Sequence, residues 1–312
     1  MDKSSKIYIA GHKGMVGSAI KRKLESLGYS NLVVKTRSQL DLTDFRKTQR
    51  FMETEKPEYV FVAAAKVGGI IANRNFPADF FYQNMSIELN LIQAAYITGV
   101  RKLLFMGSTC IYPKLAEQPL REEYLLAGPL EPTNEAYAIA KIAGIKMCQY
   151  YDAQYKTNFV SVMPTSLYGP NDNFDLEGSH VIPAMIRKFH EAKIRGDKTV
   201  ILWGTGKPRR EFMYIDDLAD SLAFLMKTYD SSELINIGIG NDYEIREIAE
   251  KVAKVVGYKN SVEYDTSKPD GTPRKLVDTS KLDALGWKPS ISLEEGLKVT
   301  YRWFLKNYSK FK

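Results

Sequence analysis

The stretch YIAGHKGMVG, residues 8–17, constrains this chain more than any other. A β-branched and aromatic run, KIYIAG, ends in Gly11. GMVGSAIKRKLESLGY follows, with Val16, Ile20, Leu24 and Leu27 at near-helical spacing before Gly28. That pattern is a buried strand, a glycine turn and a helix. Gly11, Gly14 and Gly17 are spaced G-x-x-G-x-x-G rather than G-x-G-x-x-G. The physical demand is the same: glycine permits a tight turn and the close approach of a pyrophosphate to the free N–H groups of a helix N-terminus. The plainer alternative is a glycine turn without a ligand, and the strand before it and helix after it favour the ligand.

The same alternation continues along the chain. NLVVKT, EYVFVAAA and RKLLFMGS read as strands; LTDFRKTQRFMETEKP and DFFYQNMSIELNLIQAAYITG read as the helices between them. A further helix starts at Glu135, and FVSVMPTSLYGP reads as a strand entering a loop. HVIPAMIRKFHEAK, REFMYIDDLADSLAFLMK, ELINIG and EIREIAEKVAKVVG continue more irregularly. A last helix, capped by Ser292 with Glu295, is expected to end near Tyr308. Strands alternating with helices predict an α/β fold with a Rossmann-type, doubly wound parallel sheet. At 312 residues the chain has room for a second, smaller α/β domain. We expect a dinucleotide-binding domain over 1–170 with a returning segment near 212–240, and a smaller substrate domain from 171–211 and 241–312.

The second strand indicates which dinucleotide. An NAD site usually carries an acidic residue there to hold the ribose 2′-hydroxyl. Here the strand runs into Lys35, Thr36 and Arg37, and no carboxylate occurs before Asp41. A guanidinium pairs bidentately with phosphate, so Arg37, with Lys13 in the glycine turn, points to NADP(H). The alternative for Arg37 is a solvated surface residue.

NEAYAIAK sets Tyr137 and Lys141 at i and i+4, on one helix face. A nearby ammonium is expected to lower the tyrosine pKa from about 10 and make it a usable acid or base. Alone, the motif is weak. GSTC, however, ends the preceding strand, so Ser108 reaches the carboxyl edge of the sheet, where open α/β sheets bind ligands. Together these residues suit hydride transfer to or from a carbonyl. Cys110 lies two residues beyond Ser108, and HVIPA supplies His180. A thiol near a cation is a credible base. The plainer alternatives are a small buried filler and a structural histidine. Cys148, inside a helix, reads as core.

GHKGMVGSAI, AAAKVGGI, LLFMGSTCIYPK, EAYAIAKIAGIK, PTSLYGPNDNF, SHVIPA, REFMYIDD and KPDGTPRK together resemble the GDP-L-fucose synthase branch of the extended short-chain dehydrogenase/reductase family. The resemblance covers nearly the whole chain. It implies NADPH, a homodimer and a nucleotide-sugar substrate, a GDP-4-keto-6-deoxy sugar epimerised at C3 and C5 and reduced at C4. It implies catalytic roles for Ser108, Cys110, Tyr137, Lys141 and His180, with Cys110 and His180 exchanging the protons α to the ketone. Cofactor contacts are implied at Gly11, Lys13, Gly14, Met15, Val16, Gly17, Arg37, Asp41, Leu42, Lys141, Pro164, Leu167 and His180. Lys188, Trp203, Arg210 and Asp270 are implied for the GDP-sugar. Lys13 stands where the family often has arginine, and STC replaces SSC. Two rivals stay open: a C4 reductase of a related GDP-4-keto sugar such as a heptose, and a non-catalytic NADP-binding regulator.

The net charge of +7 suits phosphorylated small molecules as well as nucleic acid. The basic residues are scattered, and no nucleic-acid motif accompanies them. No run of about 18 apolar residues predicts a membrane span, and the first residues do not read as a signal peptide. No metal site is expected. Two cysteines make no disulfide framework, so a cytoplasmic setting is expected.

Overall fold

The computed structural model describes residues 1–176, 178–268 and 270–311. The first half follows the predicted alternation: β1 (Ile7–Ala10), α1 (Met15–Ser26), β2 (Leu32–Val33), α2 (Phe45–Glu55), β3 (Tyr59–Val62), α3 (Ile70–Asn75), α4 (Pro77–Ile97), β4 (Lys102–Met106), α5 (Glu135–Tyr155) and β5 (Phe159–Pro164). The second half comprises β6 (Ser166–Tyr168), α6 (Val181–Arg195), β7 (Thr199–Trp203), β8 (Arg209–Arg210), β9 (Phe212–Tyr214), α7 (Ile215–Thr228), β10 (Ile235–Ile237), β11 (Tyr243–Glu244), α8 (Ile245–Val256), β12 (Ser261–Asp265), β13 (Arg274–Lys275), α9 (Ser280–Ala284) and α10 (Leu293–Asn307).

Six strands form one parallel sheet in the order β10–β5–β4–β3–β1–β2. Its central strands are buried along their whole length, because helices cover both faces. Side chains therefore alternate between two cores rather than between core and water. Ile7, Ile9, Leu104 and Val160 belong to one; Tyr8, Ala10, Phe105 and Phe159 belong to the other. Each Ile, Leu, Val and Phe side chain among these, fully buried, contributes about 1.5–3 kcal/mol.

From β1 the chain steps outward to β2 and then crosses back to β3. The carboxyl ends of β1 and β3 thus flank the topological switch point, the crevice where such sheets bind ligands. The turns after β1, β3, β4 and β5 all open there.

The predicted strand NLVVKT shrinks to Leu32–Val33. It is an edge strand with one partner, and Lys35 and Arg37 already lie beyond it. FVSVMPTSLYGP makes two strands. At Thr165 the chain leaves the main sheet, with its N–H donating to the Ile237 carbonyl (2.9 Å) and its hydroxyl to the Glu211 carbonyl (3.2 Å). β6 then pairs with β9. REFMYIDD divides accordingly: Phe212–Tyr214 extends beside β6, and the helix starts at Ile215. β7 and β12 pair in parallel; their short runs were not separable from loop in the sequence. The last helix has its Ser292–Glu295 capping box and stops at Asn307. Among the described residues no helix is long and apolar enough to cross a membrane.

Candidate active site

The glycine turn is a cradle that side chains would fill. Gly11 has φ +85°, and a Cβ there would stand 2.7 Å from the Ala64 nitrogen. A Cβ on Gly17 would overlap the Gly11 carbonyl. The Gly14 N–H donates to the Gly11 carbonyl (3.0 Å), and Gly14 caps α1 without a side-chain bond. The first turn of α1, with Met15 and Val16 half-buried, carries no acidic residue, so its free amides offer an uncompensated positive end.

Arg37 and Lys13 are exposed on this rim. The Asp41 carboxylate accepts from the Thr43 N–H (3.0 Å) and hydroxyl (2.8 Å). Those bonds, with a smaller contribution from Arg37, hold it below its ordinary value. Thr43 supplies the hydrogen bonds to Asp41, and the nearby Arg37 side chain is exposed, open to an anion. Leu42 is buried, and its carbonyl accepts from Asn90 (2.8 Å). Pro164 ends β5 opposite Ile237, and Leu167 sits half-buried in β6. This set fits a dinucleotide with a 2′-phosphate.

β4 delivers Ser108 in extended conformation, with Thr109–Ile111 as a single 3₁₀ turn. The Ser108 hydroxyl accepts from the Cys110 N–H (3.4 Å) and reaches Tyr137, two residues into α5. Burial pushes the Tyr137 hydroxyl well up; Cys110 and Glu88 add to this, and Ser108 opposes it. The expectation that Lys141 pulls this tyrosine toward neutrality is thus not met in the ligand-free protein. The Lys141 ammonium lies 5.9 Å from the centre of the Tyr137 ring, but 2.8 Å from Glu88 Oε1, and that carboxylate offsets its charge.

Cys110 is half-buried, and Asn134 Nδ2 lies 3.3 Å from its sulfur. His180 is the N-cap residue of α6. The segment before it meets the loop after β3, where the Gly69 N–H donates to the Gly178 carbonyl (3.0 Å). His180 is exposed to solvent, yet the protein packed round the ring disfavours the imidazolium. The other histidines differ. His190 is buried against Tyr301, 3.0 Å from its hydroxyl, and His12 sits in the glycine turn. Cys148 is fully buried, as expected of a core residue, and its thiol is pushed up by burial.

The residues expected at the nucleotide end lie near one another. Lys188 Nζ is 5.4 Å from the Trp203 ring and donates to the Ile201 carbonyl (3.3 Å). Trp203 is 49% exposed, an apolar plane open to a base. Asp270 accepts from the Thr205 N–H (2.9 Å) and hydroxyl (2.7 Å), which closes the turn after Trp203. Arg210 stands between Asp270 and Cys110; burial presses it down to about 10, and those two groups oppose the shift. Lys188, Trp203, Asp270, Arg210 and Cys110 therefore form a path leading to Tyr137. Among the described residues no three His, Cys, Asp or Glu side chains come close enough to hold a metal.

Two neighbours escaped the sequence reading. Asn134 precedes the helix, where an asparagine reads as a cap. Glu88 is a carboxylate inside the apolar run MSIELNLIQAA, and a buried charge requires a partner; that was the available signal.

Comparison with known proteins agrees with this geometry. Residues 7–238 match the model of the NAD dependent epimerase/dehydratase family. GDP-L-fucose synthase 1 of Arabidopsis thaliana is 58% identical over 306 residues, covering 98% of this chain and 95% of that protein. The GDP-6-OMe-4-keto-L-xylo-heptose reductase from C. jejuni superposes with TM-score 0.94 at 41% identity, covering 98% of this chain and 99% of that one. The GDP-L-fucose synthetase from Naegleria fowleri bound to NADP superposes at TM-score 0.93 and 30% identity, covering 99% and 96%. The chain belongs to the NAD dependent epimerase/dehydratase family and, within it, to the GDP-L-fucose synthase branch.

Proposed function

We propose that the chain converts GDP-4-keto-6-deoxy-D-mannose to GDP-L-fucose, by epimerisation at C3 and C5 and NADPH-dependent reduction at C4. The observation that carries this reading is the convergence of a thiol, a serine–tyrosine pair and a buried lysine at the carboxyl edge of β4 and the start of α5.

Gly11, Gly14, Met15, Val16 and Gly17 hold the pyrophosphate, and Arg37 with Lys13 holds the 2′-phosphate. Lys188 and Arg210 pair with the GDP diphosphate, and Trp203 lies against the base. Cys110 takes the proton α to the ketone, and His180 returns one on the opposite ring face. Ser108 and Tyr137 hydrogen-bond the enolate oxygen. NADPH, when bound, supplies the hydride to C4. Tyr137 gives its proton to O4.

The sheet topology supports a cofactor domain of 1–170 with 212–240, since β10 completes the main sheet. Residues 171–211 and 241–312 then hold the nucleotide sugar. The apolar residues Phe81, Tyr82, Leu89, Ile139 and Tyr150 are exposed on α4 and α5, which supports a homodimer through these helices. A catalytic thiol works reduced, which favours the cytoplasm.

The rival C4 reductase has support in the heptose reductase likeness, but identity to the fucose branch is higher, 58% against 41%. The intact Ser108, Tyr137 and Lys141 argue against a non-catalytic regulator. Incubation with the keto sugar and NADPH in deuterated water decides between these readings. NADPH absorbance should fall and GDP-L-fucose should carry deuterium at C3 and C5. Reduction without exchange would make the chain a C4 reductase; NADP binding without turnover would make it a regulator.

A further inference from the structure

Glu88 and Lys141 meet at 2.8 Å with 1% and 2% of their side chains open to solvent. Glu88 comes from the middle of α4 and Lys141 from α5. Gly144, one turn beyond Lys141, makes the room. A Cβ there would stand 2.8 Å from Glu88 Oε2 and 2.5 Å from the Phe105 ring. Among the described residues neither Glu88 oxygen has a well-aligned hydrogen-bond donor, so the Lys141 ammonium balances this carboxylate by charge.

A buried ion pair is a poor device for stability, because desolvation offsets much of its attraction and an apolar pair often serves better. This pair lies within reach of a reacting group instead. Around Tyr137 stand Lys141 on its own helix, Glu88 from α4, and Ser108 and Cys110 from the segment after β4. Glu88 also acts on the Cys148 thiol, which lies near Ser161 of β5. Burial pushes the Glu88 carboxyl up, and the Lys141 ammonium pulls it back.

We propose that Glu88 is a positioning residue for the reduction: it offsets and orients the Lys141 ammonium, so that Tyr137 keeps its proton until O4 of the substrate takes it. This rests on the assignment of Tyr137 and Lys141 to the reduction step. As hydride adds to C4, the carbonyl π electrons move to O4. The Tyr137 O–H bond breaks, its proton joins O4, and the tyrosinate is reprotonated from solvent. A reductase needs the tyrosine protonated at the outset. An uncompensated ammonium nearby would instead stabilise the tyrosinate.

The test is the pH profile of kcat for reduction in the parent, Glu88→Gln and Glu88→Asp, with Tyr137→Phe as control. In Glu88→Gln the basic limb should move toward acid by about one pH unit or more. Glu88→Asp keeps the charge and should recover most of that shift. Profiles that superimpose on the parent overturn the proposal. Ultraviolet titration of the ligand-free parent against Tyr137→Phe needs no change at position 88. Tyr137 should stay un-ionised beyond the usual tyrosine value of about 10, and ionisation near neutrality overturns the proposal. If Tyr137→Phe itself turns over normally, the catalytic assignment fails, an outcome distinct from failure of the role of Glu88.

Discussion

Asn134 Nδ2 lies 3.3 Å from the Cys110 sulfur, and the residue that should cap α5 makes no side-chain cap bond. Its Oδ1 is buried without a partner among the described residues. The side chain thus serves the thiol rather than the helix, and ties the end of β4 to the helix that carries Tyr137. An asparagine used as a cap is worth about 0.5–2 kcal/mol. Asn134→Ala should cost less than that, with little change in Tm by calorimetry. Carboxymethylation of Cys110 by iodoacetate should slow several-fold, since the donor that orients the sulfur is gone. A large loss of Tm with unchanged alkylation would refute this role.

Cys110→Ser should separate the two chemistries. A serine hydroxyl is far too weak an acid to replace a thiolate, so deuterium exchange at C3 and C5 should stop. Reduction, which we assign to Ser108, Tyr137 and Lys141, should continue to an unepimerised 6-deoxyhexose. NMR of the product formed in deuterated water reads both. Exchange at the parent rate would exclude Cys110 as the base.

The role proposed for Arg37 makes cofactor choice depend on its exposed guanidinium. Arg37→Ala should raise KM for NADPH by about tenfold or more, the scale of one lost charge-assisted bond, and leave KM for NADH nearly unchanged. Equal kcat/KM for the two cofactors in the parent enzyme would remove this role.

Gly17→Ala puts a methyl group onto the Gly11 carbonyl. Overpacking of this kind costs about 1–3 kcal/mol, and any relief must come from moving the turn that holds the pyrophosphate. Tm should fall, and NADPH affinity by calorimetric titration should fall with it. Gly28→Ala is the control. Gly28 also has positive φ, but a Cβ there meets nothing within 4 Å, so stability should fall while NADPH affinity holds.

The sequence by itself determined the parallel sheet and the glycine cradle and pointed to candidate residues for the chemistry, because these signals are local. A strand–glycine–helix turn, a Tyr–Lys pair one helical turn apart and a serine ending a strand are each legible within a dozen residues. Resemblance over the whole chain supplied Lys188, Trp203, Arg210 and Asp270, whose spacing carries no signal. Tertiary structure decided what depends on contacts between distant segments. Tyr168 could pair with Tyr214 only once Thr165 had turned the chain out of the main sheet. One helix taken alone suggests that Lys141 lowers the Tyr137 pKa; burial of the hydroxyl raises it instead, and Glu88, arriving from another helix 53 positions from Lys141, adds to this in the same buried space. Charge, unlike helical spacing, acts through space, and the balance around a buried group is fixed only when every helix packed against it is in place.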